Sequence, residues 1–160
     1  MNYNIVSVPL LANTIPSMFS VTKNLISSLL STSEQKNKYQ ISDVLYSLDI
    51  SSTQIVIEEF IKSKYILTKN NHNCVRNDIY LAGVHVTNII HDINQTLHEL
   101  NELVNIKWYK NVSWIWHKYN NDVQRLLHKL CIQTSILNKR IDLLLKVSNV
   151  VTIERQKTFL

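Results

Sequence analysis

The chain contains very little glycine and proline. Of its 160 residues, one is glycine (Gly83) and two are proline. Glycine-rich phosphate loops, tight hairpins and nucleophile elbows need glycine where φ is positive or where the backbone must approach a ligand closely. With a single glycine available, these architectures are nearly excluded, and most nucleotide-dependent enzymes are excluded with them.

Cysteine and long apolar runs are also scarce. Cys74 and Cys131 are far apart and belong to no disulfide framework, which favours a reducing compartment. The apolar run at 5–12 is short, contains Pro9 and lacks a basic leader, so it is a poor signal peptide. No stretch approaches the roughly 18 uninterrupted apolar residues of a membrane span. We therefore expect a soluble protein of the cytoplasm or nucleus.

Basic residues are abundant, but their excess over acidic residues is confined to the carboxyl-terminal third. The net charge of +5 comes from seven Lys/Arg against nine Asp/Glu in residues 1–106 and ten against three in residues 107–160. The apolar fraction of 45% is enough for a hydrophobic core. The chain is therefore expected to fold and to present one basic, helical end.

The amino-terminal half has the pattern of short helices followed by β-prone segments. Helical spacing of apolar residues predicts helices over 14–31, with Thr14 as N-cap, over 41–48 and over 53–64. A turn is expected at 49–52. The third helix is expected to bury four residues: Ile55, Val56, Phe60 and Ile61.

Two β-prone stretches, 65–68 and 78–82, follow the third helix and are joined by a polar loop at 69–73. Helix, helix, turn, helix, strand, loop, strand is the order of a winged helix. The sequence therefore predicts a mainly α fold with three parts. A helical segment at 1–38 precedes a small winged-helix-like module at 39–84, and long amphipathic helices follow at 85–160.

The carboxyl-terminal half carries two rows of residues at alternating spacings of four and three, the pattern of a coiled-coil seam. The first row is Val86, Ile90, Ile93, Leu97, Leu100, Val104 and Trp108, and the second is Val123, Leu127, Leu130, Thr134, Leu137, Ile141 and Leu144. They predict an antiparallel helical hairpin, or one long helix that dimerises or joins a bundle. We expect these rows to bind other helical protein subunits.

Groupings that could carry chemistry are weak. His91 and His98 are seven residues apart, and no further histidine or cysteine lies three or four residues from either, so no metal site is predicted. Glu58 and Glu59 are adjacent on a helix, where their side chains diverge and cannot form an opposed acid–base pair. We expect no catalytic residue, no metal and no cofactor.

Nucleic acid is the competing partner. The basic residues of the carboxyl-terminal third could contact phosphates, and the interleaved tryptophans could stack on bases. These cations are Lys107, Lys110, Lys118, Arg125, Lys129, Lys139, Arg140 and Lys146. The helix at 53–64 would be a weak reading helix, because beside Gln54 it presents Glu58 and Glu59. A tryptophan core with a solvated lysine rim is the more ordinary interpretation, and a membrane-surface helix is a third.

Two segments resemble a known family. YQISDVLYSLDISSTQIVIEEFIKSKYIL, at 39–67, resembles the winged-helix half of a PCI domain, which occurs in subunits of the COP9 signalosome, the proteasome lid and translation initiation factor three. NDIYLAGVHVTNIIHDINQTLHEL, at 77–100, resembles the stretch after the wing in the subunit-seven family of the COP9 signalosome. The chain departs from the family in lacking a glycine at the wing, and only about 38 residues precede the module.

The resemblance implies a truncated or divergent scaffold subunit. PCI winged helices line up edge to edge through their strands, here 65–68 and 78–82, and their terminal helices enter a shared bundle. Any deneddylase chemistry would belong to another subunit. We therefore expect a non-catalytic scaffold of a multiprotein complex. The alternative is a winged-helix protein that binds nucleic acid or has a regulatory role. Such a protein, for example a viral one, would form a homodimer through its carboxyl-terminal helices.

Overall fold

Five α-helices make up most of the residues that the structure describes. The computed structural model describes the backbone of residues 8–31, 38–69, 77–105 and 113–158, and the side chains within 13–31, 40–62, 79–105 and 114–148. The helices are α1 (Val8–Ser31), α2 (Lys38–Ser47), α3 (Ile50–Lys69), α4 (Asn77–Asn105) and α5 (Ser113–Thr158). These ranges contain no strand, so the expectation of a mainly α protein is confirmed.

The α4–α5 pair is the most extensive helix contact. Gln133 Nε2 on α5 donates to the Asp92 carbonyl on α4 at 3.3 Å, and Arg140 Nη1 donates to the His85 carbonyl at 2.8 Å. Residue numbers fall along α4 as they rise along α5, so the two helices are antiparallel. The structure thus contains the helical hairpin that the two apolar rows predict.

Helix α1 packs on another side of α4 and runs parallel to it. Asn94 Nδ2 donates to the Met18 carbonyl at 3.1 Å, and further along both helices Ser28 Oγ donates to Asn101 Oδ1 at 3.1 Å. The buried Thr22 hydroxyl lies within hydrogen-bonding distance of Asn94 Oδ1 and of the Met18 carbonyl. Shifting α1 by one turn would break the contacts of the part-buried Asn94 with Thr22 and with the Met18 carbonyl, so these contacts favour the observed register.

Helices α2 and α3 both contact α1 and α5. Gln40 and Gln124 exchange two side-chain amide hydrogen bonds, at 2.8 and 2.6 Å, and Thr53 Oγ1 lies 3.3 Å from Asn138 Oδ1. The first pair is separated by 84 residues and the second by 85, so α2 and α3 run parallel to α5 in nearly one register. Together they occupy the fourth position of a four-helix bundle beside α1, α4 and α5.

The break between α2 and α3 is confined to Leu48 and Asp49. Asp49 has a φ of 48°, a left-handed conformation that aspartate tolerates better than most residues. Its amide donates to the Tyr46 carbonyl at 3.3 Å, and its carbonyl accepts from the Thr53 amide at 3.2 Å. Asp49 therefore ends one helix and starts the next, and the predicted four-residue turn at 49–52 is wrong.

Because the turn is shorter than the predicted one, residues of α3 other than those expected face the core. Ile55 and Val56, expected in the core, are 61% and 47% exposed, whereas Ile50, Gln54 and Ile57 are buried. Because α3 starts at Ile50, residues spaced four and three apart from that point face inward. Phe60 and Ile61 pack against the core as expected but remain partly exposed.

The two predicted strands are wrong, since 65–68 lies in the last turns of α3 and 78–82 in the first turns of α4. Ala82 is buried and Ile79 packs against the core, at the start of the helical row that continues through Val86. Tertiary packing at helical spacing here overrides local β preference. The order of a winged helix is therefore not found among the described residues, and most of the predicted loop at 69–73 lies outside them.

Helix α1 also begins earlier than predicted. It starts at Val8, so Thr14 is not its N-cap and Pro16 lies inside the helix, where proline donates no backbone hydrogen bond. Gly83, the single glycine, is buried within α4 and serves no turn. No described helix contains an apolar stretch long enough to cross a bilayer.

Leu97→Ala tests the role of α4. Leu97 is fully buried, so its truncation should lower the free energy of unfolding by about 2–5 kcal/mol. Leu81→Ala, on the same helix at a half-exposed position, should cost less than about 1 kcal/mol. Urea denaturation followed by circular dichroism measures both values, and equal losses would contradict the bundle described here.

Candidate interaction surface on the outer face of α5

The residues predicted to bind partners lie inside the chain's own bundle. None of those described is more than 8% exposed, and Thr134 in the same row is also buried. They are Val86, Ile90, Ile93, Leu97, Leu100, Val104, Val123, Leu127, Leu130, Leu137, Ile141 and Leu144. Trp108 lies outside the described residues. A second subunit could contact these rows only by displacing a helix of this chain.

Within 114–148, the part of α5 whose side chains the structure describes, three large apolar side chains remain on the solvent side. Trp114 is 68% exposed, Ile132 is 49% exposed and Leu143 is 51% exposed. Ile132 follows Trp114 by five helical turns and Leu143 follows Ile132 by about three, so all three lie on one line along the helix. The opposite side of α5, with Val123 and Leu130, is buried against the bundle.

Exposed cations lie beside this line. They are Lys118, Arg125, Lys129, Lys139 and Lys146. Four of them form a seven-residue ladder with Ile132 at its centre: Lys118, Arg125, Ile132, Lys139 and Lys146. We call the five cations together with Trp114, Ile132 and Leu143 the outer face of α5.

The outer face has little compensating negative charge. The Arg125 guanidinium lies 3.7 Å from the Asp122 carboxylate, an exposed pair that contributes little stability. Lys118, Lys129, Lys139 and Lys146 form no ion pair with another described residue. Their charges are therefore available to an anionic partner.

Arg140 differs from the other predicted cations. It is half-buried, and its guanidinium donates to the His85 carbonyl across the α4–α5 contact. Its first role is thus to bind two helices of this chain together. Lys107 and Lys110 lie outside the described residues.

Two members of the outer face, Ile132 and Leu143, are not identified by sequence analysis. Both are apolar residues outside the heptad row of α5, and a search for the heptad pattern does not select them. Trp114 belongs to an aromatic cluster in the sequence, but among the described residues of that cluster it is Trp116 and Tyr119 that pair, with ring centroids 5.3 Å apart. Trp114 itself points to solvent.

The other predicted functional groups do not converge. Gln54 is buried and its amide donates to Glu58, so it is not available to read a base edge. His98 Nε2 lies 3.2 Å from Glu102 Oε1 on the exposed side of α4. Within the part of the chain that the structure describes, no three His, Cys, Asp or Glu side chains are grouped to hold a metal ion.

An open cleft of about 390 Å³ lies where the α2–α3 break meets α5. Ser47 and Leu48 line one side, and Cys131, Thr134 and Asp142 are among the residues on the other. Thr134 Oγ1 is buried and has no hydrogen-bond partner among the described residues. The cleft places no base beside the Cys131 thiol within hydrogen-bonding distance, so it offers no nucleophilic pair.

Two single substitutions, at the adjacent residues Lys139 and Arg140, distinguish a cation that stabilises the bundle from one that is free on its surface. Arg140→Ala should lower the free energy of unfolding by about 1 kcal/mol, because it removes a hydrogen bond between helices. Lys139→Ala should change it by less than about 0.5 kcal/mol, because its side chain is exposed. Thermal and urea unfolding of both variants tests this, and a larger loss for Lys139→Ala would refute the assignment.

The chain matches no protein-family model, no curated protein and no solved structure. The outer face is therefore interpreted from its own geometry and charge.

Proposed function

We propose that the chain is a non-catalytic interaction subunit that binds another protein along the outer face of α5. The observation that carries this proposal is the alignment of Trp114, Ile132 and Leu143 on the solvent side of a helix whose inner side is already buried. Trp114 and Ile132 are about 27 Å apart along the helix axis and Ile132 and Leu143 about 16 Å, so they are three separate apolar contact points on one line and not a contiguous patch. Covering the exposed part of each would contribute roughly 1 kcal/mol.

The shape of the surface favours a helical partner. Trp114 and Leu143 are 29 residues apart, which corresponds to about 44 Å along the helix axis. The surface is narrow, since its members occupy one side of a single helix. A second helix laid along α5 could contact all three apolar side chains at once, whereas a compact loop could reach only one or two.

Helical subunits of a PCI-type assembly, such as the COP9 signalosome, are the partners that the family resemblance favours, in the cytoplasm or nucleus. The mode of contact proposed here differs from the one that the resemblance implies. The edge-strand contact through 65–68 and 78–82 is not proposed, because both stretches lie in helices. The heptad rows support the fold, and the outer face of α5 supplies the contact.

Nucleic acid binding is the second candidate, and the exposure of five cations on one helix favours it. If each contacted one phosphate of a single strand, log K would fall with log salt at a slope of about −3.5. Ile132 and Leu143 would then remain exposed or lie against phosphate. Retention on immobilised single-stranded DNA at physiological salt is the discriminating measurement.

Ile132→Asp tests the proposed function. It places a charge in the centre of the aligned apolar groups, at a position exposed enough for the bundle to tolerate it. We expect recovery of the stoichiometric partner to fall about tenfold or more when the tagged chain is purified from its native cells. Quantitative mass spectrometry of the co-purifying proteins measures that recovery.

Ile55→Asp is the matched control. Ile55 is the same residue type on α3, is at least as exposed, and lies on a different helix. It should leave partner recovery unchanged. Equal recovery with Ile132→Asp and with the unsubstituted chain would refute the proposed function. Introducing a charged residue at Ile93, Leu97 or Leu100 would be uninformative, because these residues are buried and the charge would unfold the bundle.

A further inference from the structure

We infer that the partner segment is an acidic amphipathic helix, with carboxylates placed opposite the lysines of the outer face of α5. This inference rests on the proposed function and specifies its partner. It is carried by the joint occurrence, on one side of one helix, of aligned apolar groups and a nearly uncompensated row of cations.

The charge of the surface requires an anionic partner. Five cations lie on the outer face, and one carboxylate, that of Asp122, pairs with one of them, Arg125. Asp142 lies three residues after Lys139 and four before Lys146 and lines the same cleft as Lys139, but it forms no ion pair with either of them. A neutral partner that covered Ile132 and Leu143 would partly desolvate the neighbouring lysines without pairing them, which is unfavourable. Carboxylates on the partner would remove that cost.

The same charges argue against a second copy of this chain as the occupant. A twofold interface through the outer face would bring the same surface of both copies together, with lysines against lysines. Like charges in close contact cost free energy, and the described side chains of α5 offer two carboxylates, those of Asp122 and Asp142, against the five cations of each copy.

The spacing of the apolar groups argues against a lipid surface and against nucleic acid. A helix that lies in a membrane interface needs a broad apolar face. Here Trp114 and Ile132 are 18 residues apart, and the exposed side chains between them along this line include those of Lys118 and Arg125 but no large apolar group. Trp114 is the one strongly exposed aromatic among the described residues of α5, too few for successive base stacking.

The seven-residue ladder indicates what the partner must carry. Lys118, Arg125, Lys139 and Lys146 recur at intervals of seven or fourteen residues, with Ile132 at the centre. A facing helix that keeps contact over this length repeats with the same period. We therefore expect Asp or Glu at seven-residue intervals along the partner, with an apolar residue at its middle and further apolar residues toward Trp114 and Leu143.

Zero-length carbodiimide cross-linking of the purified native complex tests this placement, because it joins an amine directly to a carboxylate. We expect Lys129, Lys139 and Lys146 to be joined to Asp or Glu residues of one contiguous partner segment. Cross-links identified by mass spectrometry give both partners of each bond. If these lysines join no partner carboxylate in an intact complex, the inference is wrong.

A charge-reversal pair provides the quantitative test. Lys139→Glu combined with Lys146→Glu should reduce partner recovery roughly tenfold or more at physiological ionic strength, because two attractions become repulsions. Lys23→Glu combined with Lys62→Glu makes the same change in net charge at exposed positions of α1 and α3 and should have little effect. Circular dichroism confirms that both double variants remain helical.

The two proposals fail in different ways. If Ile132→Asp abolishes recovery while the Lys139/Lys146 pair leaves it unchanged, the surface binds a protein and the acidic-helix inference is wrong. If Ile132→Asp has no effect, the proposed function itself is wrong. Nuclease-sensitive recovery, or flotation of the chain with phosphatidylserine-containing vesicles that the lysine pair abolishes, would overturn the inference in favour of nucleic acid or a lipid surface.

Discussion

Burial of α4 on two sides is the constraint on which the rest of the structure depends. Val86, Leu97 and Leu100 are fully buried, and both α1 and α5 pack against this helix. Each such side chain contributes about 1.5–3 kcal/mol relative to an exposed one. Since α4 uses its apolar row in contacts within the chain, the matching row of α5 is used there as well. What α5 can offer to another molecule is therefore its other face, where Ile132, Leu143 and the lysines lie.

Polar contacts determine how the helices are aligned, whereas apolar contacts supply most of the stability. The group formed by Thr22, Asn94 and the Met18 carbonyl sets α1 parallel to α4, and the paired amides of Gln40 and Gln124 align α2 with α5. A row of leucines alone would tolerate a shift by one turn. The part-buried Asn94 does not, because a shift removes its bond to the Met18 carbonyl, and the exposed Gln40–Gln124 pair adds a weaker preference for the observed alignment. The outer face of α5 is thus held in a fixed orientation relative to the bundle.

The strength of the apolar pattern decided what the sequence could predict. The rows from Val86 to Val104 and from Val123 to Leu144 alternate by four and three, so the hairpin was one of the arrangements that the sequence predicted. In α3, Ile55, Val56 and Ile57 are consecutive apolar β-branched residues, and such a run does not reveal which of them faces inward. The correct phase begins at Ile50, which a longer predicted turn assigned to the loop.

The candidate site was predictable only in part, for a related reason. The excess of lysine near the carboxyl terminus is visible in composition, but composition does not separate Lys139 from Arg140. That separation needs the position of the His85 carbonyl on a different helix. The outward direction of Trp114 likewise depends on where α4 and α2 contact α5, which no local pattern encodes.

The order of the helices around the bundle also bears on how the chain folds. The α4–α5 contact between Asp92 and Gln133 closes a loop of 41 residues, whereas the α2–α5 contact between Gln40 and Gln124 closes one of 84. Loop-closure entropy grows only with the logarithm of length, so this doubling costs about 0.6 kcal/mol. The area that each helix buries, more than its distance along the chain, therefore decides the order of assembly. The α4–α5 contact is both more extensive and closer in sequence than the α2–α5 contact, so we expect this hairpin to form before α2 and α3 dock.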